Sequence, residues 1–381
     1  MTKDTRINVV NIGLMLISCA AAFVMPFEVF LFAYAIMGPL HYLTEISWLH
    51  DRQYFSKGKY DYVVLLAIGI LITLQYLASY NHWWPYDSKD NEEVASQMDG
   101  LGNKLLLLAL LGGLIMAFVK SVPVKVICLF LAFLIANQAF AVGDEGERGS
   151  SMFLYIITAF VPTLIHVYVF TGFFMLFGAL KSRSVSGLWS IVVFVLCPIL
   201  LITLFRDTNF IPVTEYGVKA YGGPNSPNGF FDLNQSILYK FFNPSQLVQH
   251  IPGVDVTKAD ENTLWNALVY RSQTGILIMR FIAFAYTYHY LNWFSKTEII
   301  RWHKVPKSRF IAVIILWIIS ITIYTISYSK GLLWLFFLSF CHVLLEFPLN
   351  FVSIVGIFKE TGSIVRNGFK PKPSVAAVGK K

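Results

Sequence analysis

Two short segments of this sequence repeat one pattern of ionisable residues inside long apolar runs. In "GPLHYLTE" His41 stands four residues before Glu45, and in "FCHVLLEF" His342 stands four residues before Glu346. In a helix this spacing places both side chains on one face, about one turn apart. The glutamate can then accept a hydrogen bond from a histidine of a neighbouring helix, or bind a metal ion itself. A His–Glu pair within one helix, with no further role, is the simpler interpretation.

Two further histidines lie in other apolar runs, His166 in "LIHVYVF" and His289 in "YTYHYLNWF". Ionisable groups are costly within a bilayer. Histidines on four separate predicted helices therefore indicate that the four side chains converge on a shared site. Neutral imidazole is the commonest metal ligand among side chains, so the sequence predicts a shared metal ion. Scattered hydrogen bonds between helices are the alternative at this point. The other histidines fall at span ends or in loops, where we expect them to be solvated: His50, His82, His250 and His303.

Three ionisable residues are candidates for catalysis beside the histidines: Glu45, Glu346 and Arg280. Arg280 lies in "ILIMRFIAFAYTYHY", where an arginine needs a carboxylate partner or an aqueous cavity. Ligation by nitrogen, or by nitrogen and carboxylate, with open positions suits non-haem Fe(II) and oxygen chemistry. Zinc is also possible with these ligands. The aromatic residues around His289 suit a lipid-soluble substrate that enters from the bilayer.

The composition indicates an integral membrane protein. Of 381 residues, 56% are hydrophobic and only 14% are charged, whereas soluble domains carry about a quarter charged residues. The net charge of +8 does not indicate nucleic-acid binding, because the Lys and Arg residues fall in short loops and the C-terminal tail. The cysteines lie in apolar runs without metal-binding spacing and are predicted to be packing residues: Cys19, Cys128, Cys197 and Cys341.

Apolar runs of the length that a membrane requires predict an all-α, polytopic helix bundle with about ten spans. These runs lie near 9–25, 27–49, 61–80, 103–119, 122–142, 152–180, 185–205, 265–294, 308–328 and 331–357. The loops between them alternate between basic and acidic, which predicts that both termini are cytoplasmic. The first run is followed by "MPFEVF" and not by a small-residue cleavage site, so we expect it to stay as a helix and not to be removed as a signal peptide. We expect one membrane domain over 1–381, with residues 206–264 as an extramembrane insertion that caps the outer face.

In order and composition, these motifs resemble the Brp/Blh family of membrane β-carotene 15,15'-dioxygenases, which make retinal. "GPLHYLTE" is similar to the family's Gly-Leu-Pro-His segment with an acid four residues later, and "LIHVYVF" to its Ile-His segment. "YTYHYLNWF" resembles its aromatic helix with His-x3-His, and "FCHVLLEFPLNF" its Pro-His segment followed by an acid. The resemblance covers four short motifs in order.

The resemblance implies iron ligands at His41, His166 and His289, with His342 at or near the site. It implies Glu45 and Glu346 as acidic partners, Fe(II) as the metal, O2 as co-substrate, a carotenoid or related polyene as substrate, and a bacterial inner membrane. The sequence departs from the family at Trp293, where the second histidine of His-x3-His belongs. It also departs in its glutamates, where the family usually has aspartate, and in the added segment 206–264.

A membrane non-haem iron oxygenase acting on an apolar, bilayer-soluble substrate is therefore the favoured function. A proton-coupled transporter with a His/Glu relay is the main alternative. A haem-binding electron-transfer protein is another, although each predicted helix carries only one histidine. A di-iron desaturase or hydroxylase would need closely spaced histidine pairs, which this sequence lacks.

Overall fold

A computed structural model describes residues 3–81, 92–140, 152, 155–204, 211–224, 230–249, 251, 254–255, 258–296 and 304–370. Over these ranges the chain is helical and forms no strand. The predicted all-α helix bundle is thus confirmed. Several sequence features lie outside the described residues, including His82, His250, His303 and the acidic loop at 143–151.

In chain order the helices are α1 (Lys3–Val24), α2 (Pro26–Phe32), α3 (Gly38–His50), α4 (Asp61–Tyr80), α5 (Glu92–Phe118), α6 (Val122–Ala139), α7 (Thr171–Ser182), α8 (Val185–Thr203), α9 (Glu215–Tyr221), α10 (Phe231–Phe241), α11 (Pro244–Val248), α12 (Glu261–Tyr270), α13 (Gln273–Ser295), α14 (Lys307–Ile326) and α15 (Tyr328–Asn367), with a 3₁₀ turn at Gln53–Phe55 and π-helical segments π1 (Ala33–Met37) and π2 (Ile156–Phe170).

Nine continuous helical stretches among the described residues are long and apolar enough to cross a membrane. Helices of this length and apolarity satisfy their backbone hydrogen bonds internally, as a bilayer requires. The chain is therefore a membrane protein. The nine stretches are Asp4–Val24, Pro26–His50, Asp61–Ala78, Gly100–Phe118, Val122–Ala139, Ile156–Ser182, Val185–Thr203, Lys307–Ile326 and Tyr328–Asn367.

The tenth predicted span, 265–294, divides into two helices. Its first residues belong to the short helix α12, and the rest forms α13, which is not among the nine apolar stretches. Helix α13 nevertheless runs antiparallel to α1: the Arg280 guanidinium lies over the Phe23 ring, and Ser295 Oγ donates to Asn11 Oδ1. Most of its residues are buried among other helices. A helix shielded from lipid in this way does not need an apolar outer surface.

Two hydrophobic cores meet at the centre of the bundle. One core is built around α13 and contains Tyr42, Val167 and Tyr288. The other is built around α4, α5 and α15 and contains Val161 and Leu344. Segment π2 contributes to both cores, through Val167 and Val161. The predicted ligands therefore lie at the boundary between the two cores, where four elements come together.

π-Helical turns occur beside two of the four predicted ligands. Segment π1 ends at Met37, and α3 then begins with Gly38 and Pro39 ahead of His41. Segment π2 contains Pro162, which has no N–H to donate, and His166 one turn later. π-Helical turns are rare and are frequent at functional sites, because they reorient the side chains that follow. The backbone thus departs from regular α-helix close to His41 and His166, whose side chains point to the centre of the bundle.

The described part of the insertion consists of short helices that close one end of the bundle. Thr214 N donates to Glu28 Oε1 of α2 at 2.8 Å, and Phe230 packs edge-on against Phe30 with ring centroids 4.6 Å apart. These contacts attach the insertion to the start of α2. Its described residues thus cover one end of the bundle and are called the cap below, and the position of the insertion outside the membrane stays a prediction.

Candidate metal centre

The four predicted histidine ligands meet in the middle of the bundle. Their exposed fractions are 1% for His41, 2% for His166, 7% for His289 and 3% for His342. Around the ring 41–289–166–342, successive imidazole centroids are 4.6, 5.0, 4.9 and 5.4 Å apart. Histidines from four separate elements, α3, π2, α13 and α15, thus form a closed four-membered ring. The sequence prediction that they converge is confirmed.

The Nε2 atoms face one another within this ring. His41 Nε2 is 2.9 Å from His289 Nε2, and His166 Nε2 is 3.1 Å from His342 Nε2. One ligand atom from each of His41, His166 and His289 lies within 4.8 Å of the others, and the same holds for His41, Glu45 and His342. The arrangement can hold a metal ion.

The two glutamates differ in the histidine atom that they approach. Glu45 Oε2 lies 3.0 Å from His41 Nε2, the nitrogen that faces the ring centre. Glu346 Oε2 lies 2.9 Å from His166 Nδ1, the nitrogen on the outer side of its imidazole. Glu45 therefore lies where a ligand would, whereas Glu346 lies where it can hold the proton on Nδ1 and leave Nε2 as a lone-pair donor.

The carboxyl groups are buried together without a cationic side chain. Glu45 and Glu346 are each 2% exposed and lie against each other. In the described part of the chain, each has only a histidine within ion-pair distance. Oε2 of each lacks an aligned hydrogen bond, as does Nδ1 of His41, His166 and His342, so the contact of Glu346 with His166 is one of distance alone. Adjacent buried carboxylates without compensating charge are unfavourable, so the group needs either a bound cation or a proton on one of the carboxyl groups.

Three further side chains position the histidines. Nδ1 of His289 is 2.7 Å from Thr171 Oγ1, at the start of α7, a contact that suits the Nδ1–H tautomer. The Tyr42 ring stacks on His342, with centroids 4.3 Å apart. Trp293 stands where the resembled family has a histidine, and here its Nε1 donates to Thr44 Oγ1 at 3.0 Å. Trp293 thus fixes the helix that carries His41 and offers no ligand.

A cavity of about 440 Å³, here called the aromatic chamber, reaches the histidine ring from the cap side. Its walls include His166, His289 and His342, together with rings such as Tyr34, Tyr286 and Phe336. Phe230, Asp232 and Ser236 of the cap close its far end, and burial raises the pKa of the Asp232 carboxyl. The insertion therefore forms a wall of the chamber, which the sequence did not indicate.

A second cavity of about 480 Å³, here called the polar chamber, reaches the ring from the opposite side. His41, His289 and both glutamates border it, and its further lining is rich in polar groups: Asp4, Asn8, Asn11, Lys181, Asn292 and Lys296. Asn292 Oδ1 and Trp48 Nε1 are buried there without a protein partner. Buried polar groups of this kind are satisfied by water or by a ligand, so the chamber suits polar contents.

Arg280 lies away from this site. It is fully buried, its guanidinium lies 4.3 Å from the Phe23 ring centroid, and it borders neither chamber. Nine residues separate Arg280 from His289, which places the two on opposite faces of α13. Its position therefore gives no support to the predicted catalytic role.

Some site residues were not found in the sequence. Tyr42 and Tyr290 each follow a ligand histidine, and their hydroxyls are 2.9 Å apart beside the ring. The repeated His-Tyr dipeptide was a signal that could have found them. Thr171 and Lys296 had no such signal, because each reaches the site from the end of a helix.

No protein-family model, curated protein or solved structure matches this chain. The chemistry of the site therefore has to be argued from its own geometry.

Proposed function

We propose that this protein is a membrane non-haem iron oxygenase that acts on an apolar, unsaturated substrate drawn from the bilayer. The observation that carries the proposal is the ring of four buried histidines, with Glu45 Oε2 3.0 Å from the inward-facing Nε2 of His41 and an aromatic chamber beside it. Four neutral imidazoles, two carboxylates and one divalent cation sum to zero charge, which suits a buried site. Such ligands suit Fe(II) with positions left open for small molecules.

The spacing of the ligand atoms supports this choice of metal over zinc. Ligands about 2.1 Å from an ion are about 3.0 Å apart at right angles and about 3.4 Å apart in a tetrahedron. The close contacts of His41 Nε2 to His289 and Glu45 are 2.9 and 3.0 Å, and that of His166 to His342 is 3.1 Å. Ligand atoms with this spacing would suit a coordination number above four better than a tetrahedron. The rings also leave no room between them for a haem.

Iron bound by His41, His166, His289, His342 and Glu45 would supply activation of O2. The protein contributes position and protonation state. Glu346 and Thr171 hold protons on Nδ1 of His166 and His289 and so present Nε2 of both to the ring centre. Burial of the whole set excludes bulk water from the reacting groups.

The aromatic chamber supports an apolar substrate. Four of its hydroxyl groups bond to one another in pairs, Tyr42 with Tyr290 and Tyr34 with Ser339 at 3.2 Å. Ring faces then line the space left for the substrate, and flat unsaturated molecules stack well on such faces. A carotenoid or related polyene, as the family resemblance implies, is the substrate class that we propose.

The charge pattern of the loops supports a location in a bacterial inner membrane with both termini cytoplasmic. If α13, which runs beside α1, is counted with the nine apolar stretches of the described residues, ten crossings would put the two termini on the same side. The aromatic chamber would then open toward the cap on the outer side, and the polar chamber toward the cytoplasm.

Elemental analysis after iron-replete expression tests the metal site. We expect about one iron per chain, bound by histidine nitrogens. His41→Ala, His166→Ala, His289→Ala and His342→Ala should each lose most of it. The matched control is His50→Ala, whose side chain is 58% exposed and contacts Asp51. A purified wild-type protein without metal would end the oxygenase proposal.

Co-expression in a carotenoid-producing host tests the substrate. We expect loss of pigment and formation of retinal that depend on oxygen and are absent in the His289→Ala variant. An iron-loaded protein that leaves the pigments unchanged would remove the carotenoid and leave the metal site in place.

Proton-coupled transport is a second candidate, because two chambers reach the His/Glu group from opposite sides. Access from both sides is what alternating-access transport requires. The same elemental analysis separates the two functions, since a proton relay needs no stoichiometric metal.

A further inference from the structure

Lys296 is placed to do chemistry that the proposed metal site does not use. It follows directly after the end of α13 and borders the polar chamber, which also touches His289. His289, Asn292 and Lys296 are separated by three and four residues, so all three lie on one face of this helix end. The amine therefore shares one cavity with three of the proposed metal ligands, His41, Glu45 and His289.

The Lys296 amine makes no ion pair with a carboxylate of the described residues. Among the described residues, no acidic oxygen lies within 4.0 Å of Lys296 Nζ, even though Asp4 borders the same chamber. Burial lowers the pKa of Lys296 to about 8. About a tenth of such amines are neutral at pH 7, whereas a lysine with an ordinary pKa is almost fully protonated. Lys296 is partly buried, and lysines whose pKa is lowered are the nucleophiles that form imines with carbonyl compounds.

The chamber can accommodate an apolar carbonyl compound beside this amine. Ile7, Phe174, Met175 and Leu349 supply apolar wall. Asn292 Oδ1, one turn before Lys296, is buried without a protein partner. This oxygen is therefore free to accept a hydrogen bond from the hydroxyl group that forms when the amine adds to the carbonyl, or from the water that leaves.

We propose that Lys296 captures an apolar aldehyde in the polar chamber as an imine. The Nζ lone pair adds to the aldehyde carbon and forms the C–N bond. The two amine protons then leave with the carbonyl oxygen as one water molecule, so that C=N replaces C=O and no electrons are exchanged. The physiological source of the aldehyde rests on the proposed function, because oxidative cleavage of a polyene double bond yields aldehydes. The capture itself does not depend on that activity.

The test supplies the aldehyde from outside. Retinal is added to the purified full-length protein, the imine is reduced with cyanoborohydride, and the adduct is mapped by peptide mass spectrometry. We expect Lys296 to carry most of the label. Lys181 is the matched control, because it borders the same chamber but is exposed. Lys181→Arg should leave total labelling unchanged, and Lys296→Arg should reduce it about 10-fold, since guanidinium does not deprotonate.

Label spread over exposed lysines in proportion to their exposure would overturn the proposal, as would unchanged labelling in a folded Lys296→Arg variant. If that variant does not fold, the ratio of label at Lys296 to label at Lys181 in the wild-type protein decides by itself. A ratio of one or less rejects the capture. Because the aldehyde is added, failure of the oxygenase proposal leaves this result unaffected, and labelling of Lys296 in metal-free protein would separate the two.

Discussion

The two His-x3-Glu motifs have the same spacing, and their carboxylates contact different histidines. In α3, Glu45 turns to the Nε2 atom of its own histidine, His41. In α15, Glu346 bypasses its own histidine and reaches His166 of π2. Spacing fixes the face of the helix on which a side chain lies, and the neighbouring helix decides what it contacts. One motif thus offers two ligands, and the other offers one ligand and a carboxylate that orients a third.

Packing explains the difference between the motifs. Helix α3 starts after a π-helical segment and packs on α15 and α14, so its polar face turns inward with both residues. Helix α15 is 40 residues long and passes between π2 and α3, so its polar face meets histidines on both sides. His342 then takes the ring position and Glu346 the position behind His166.

Glu45→Gln tests the difference most strongly. The amide keeps the volume of the side chain but loses the charge and most of the ligand strength. We expect the affinity for Fe(II) to fall by more than about 100-fold, above the range found when only an outer partner of a ligand is changed. Competition with a chelator of known affinity measures it. Affinity within a few fold of wild type would show that Glu45 does not bind the metal.

Glu346→Gln should have a smaller effect. The Gln oxygen can still accept a hydrogen bond from His166 Nδ1–H, so the tautomer is kept while the negative charge is lost. We expect a loss of about 10- to 100-fold in Fe(II) affinity, as is typical for the outer partner of a metal-bound histidine. The same titration measures it, beside Glu45→Gln in one series. If Glu346→Gln has the larger effect, the assigned roles of the two glutamates are reversed.

The helices and the four histidines could be predicted from the sequence because both follow from the free energy of placing a single segment or side chain in a bilayer. A long apolar run can only be a span, and a histidine within it must have a reason to be there. His41, His166, His289 and His342 were all found by that rule. The division of the span at 265–294 was missed, because an apolar window extends through the turn at Arg271–Ser272.

Partners that depend on packing could not be predicted in the same way. The sequence left open whether Glu45 and Glu346 were ligands or outer partners, since spacing alone allows both. Arg280 was predicted to be catalytic because a charged side chain is costly in a bilayer. Its guanidinium instead lies over the Phe23 ring, on the face of α13 opposite His289. The cap lines the aromatic chamber because the chain after the insertion's turn brings Phe230 and Asp232 against the bundle. No local sequence pattern predicts this long-range contact.

Trp293→Phe should produce the smallest effect and tests whether anything other than the histidines and glutamates sets metal affinity. The change removes the hydrogen bond from Nε1 to Thr44 Oγ1 and keeps the ring against His41, whose centroid is 5.3 Å away. One such bond contributes about 1 kcal/mol, so we expect a modest fall in unfolding temperature. Iron content should stay near wild type, because indole offers no lone pair to a metal.

Trp189→Phe is the matched control, since Trp189 is 61% exposed on the outside of α8. Thermal unfolding and iron content measured on both variants separate support of the α3 helix from ligation. Loss of iron in Trp293→Phe, with none in Trp189→Phe, would mean that the Thr44 contact sets the position of His41. Among the described contacts, no tryptophan supports α15 at His342 as Trp293 supports α3 near His41. The different roles of Glu45 and Glu346 would then depend on this contact between α3 and α13 as well as on the carboxylates themselves.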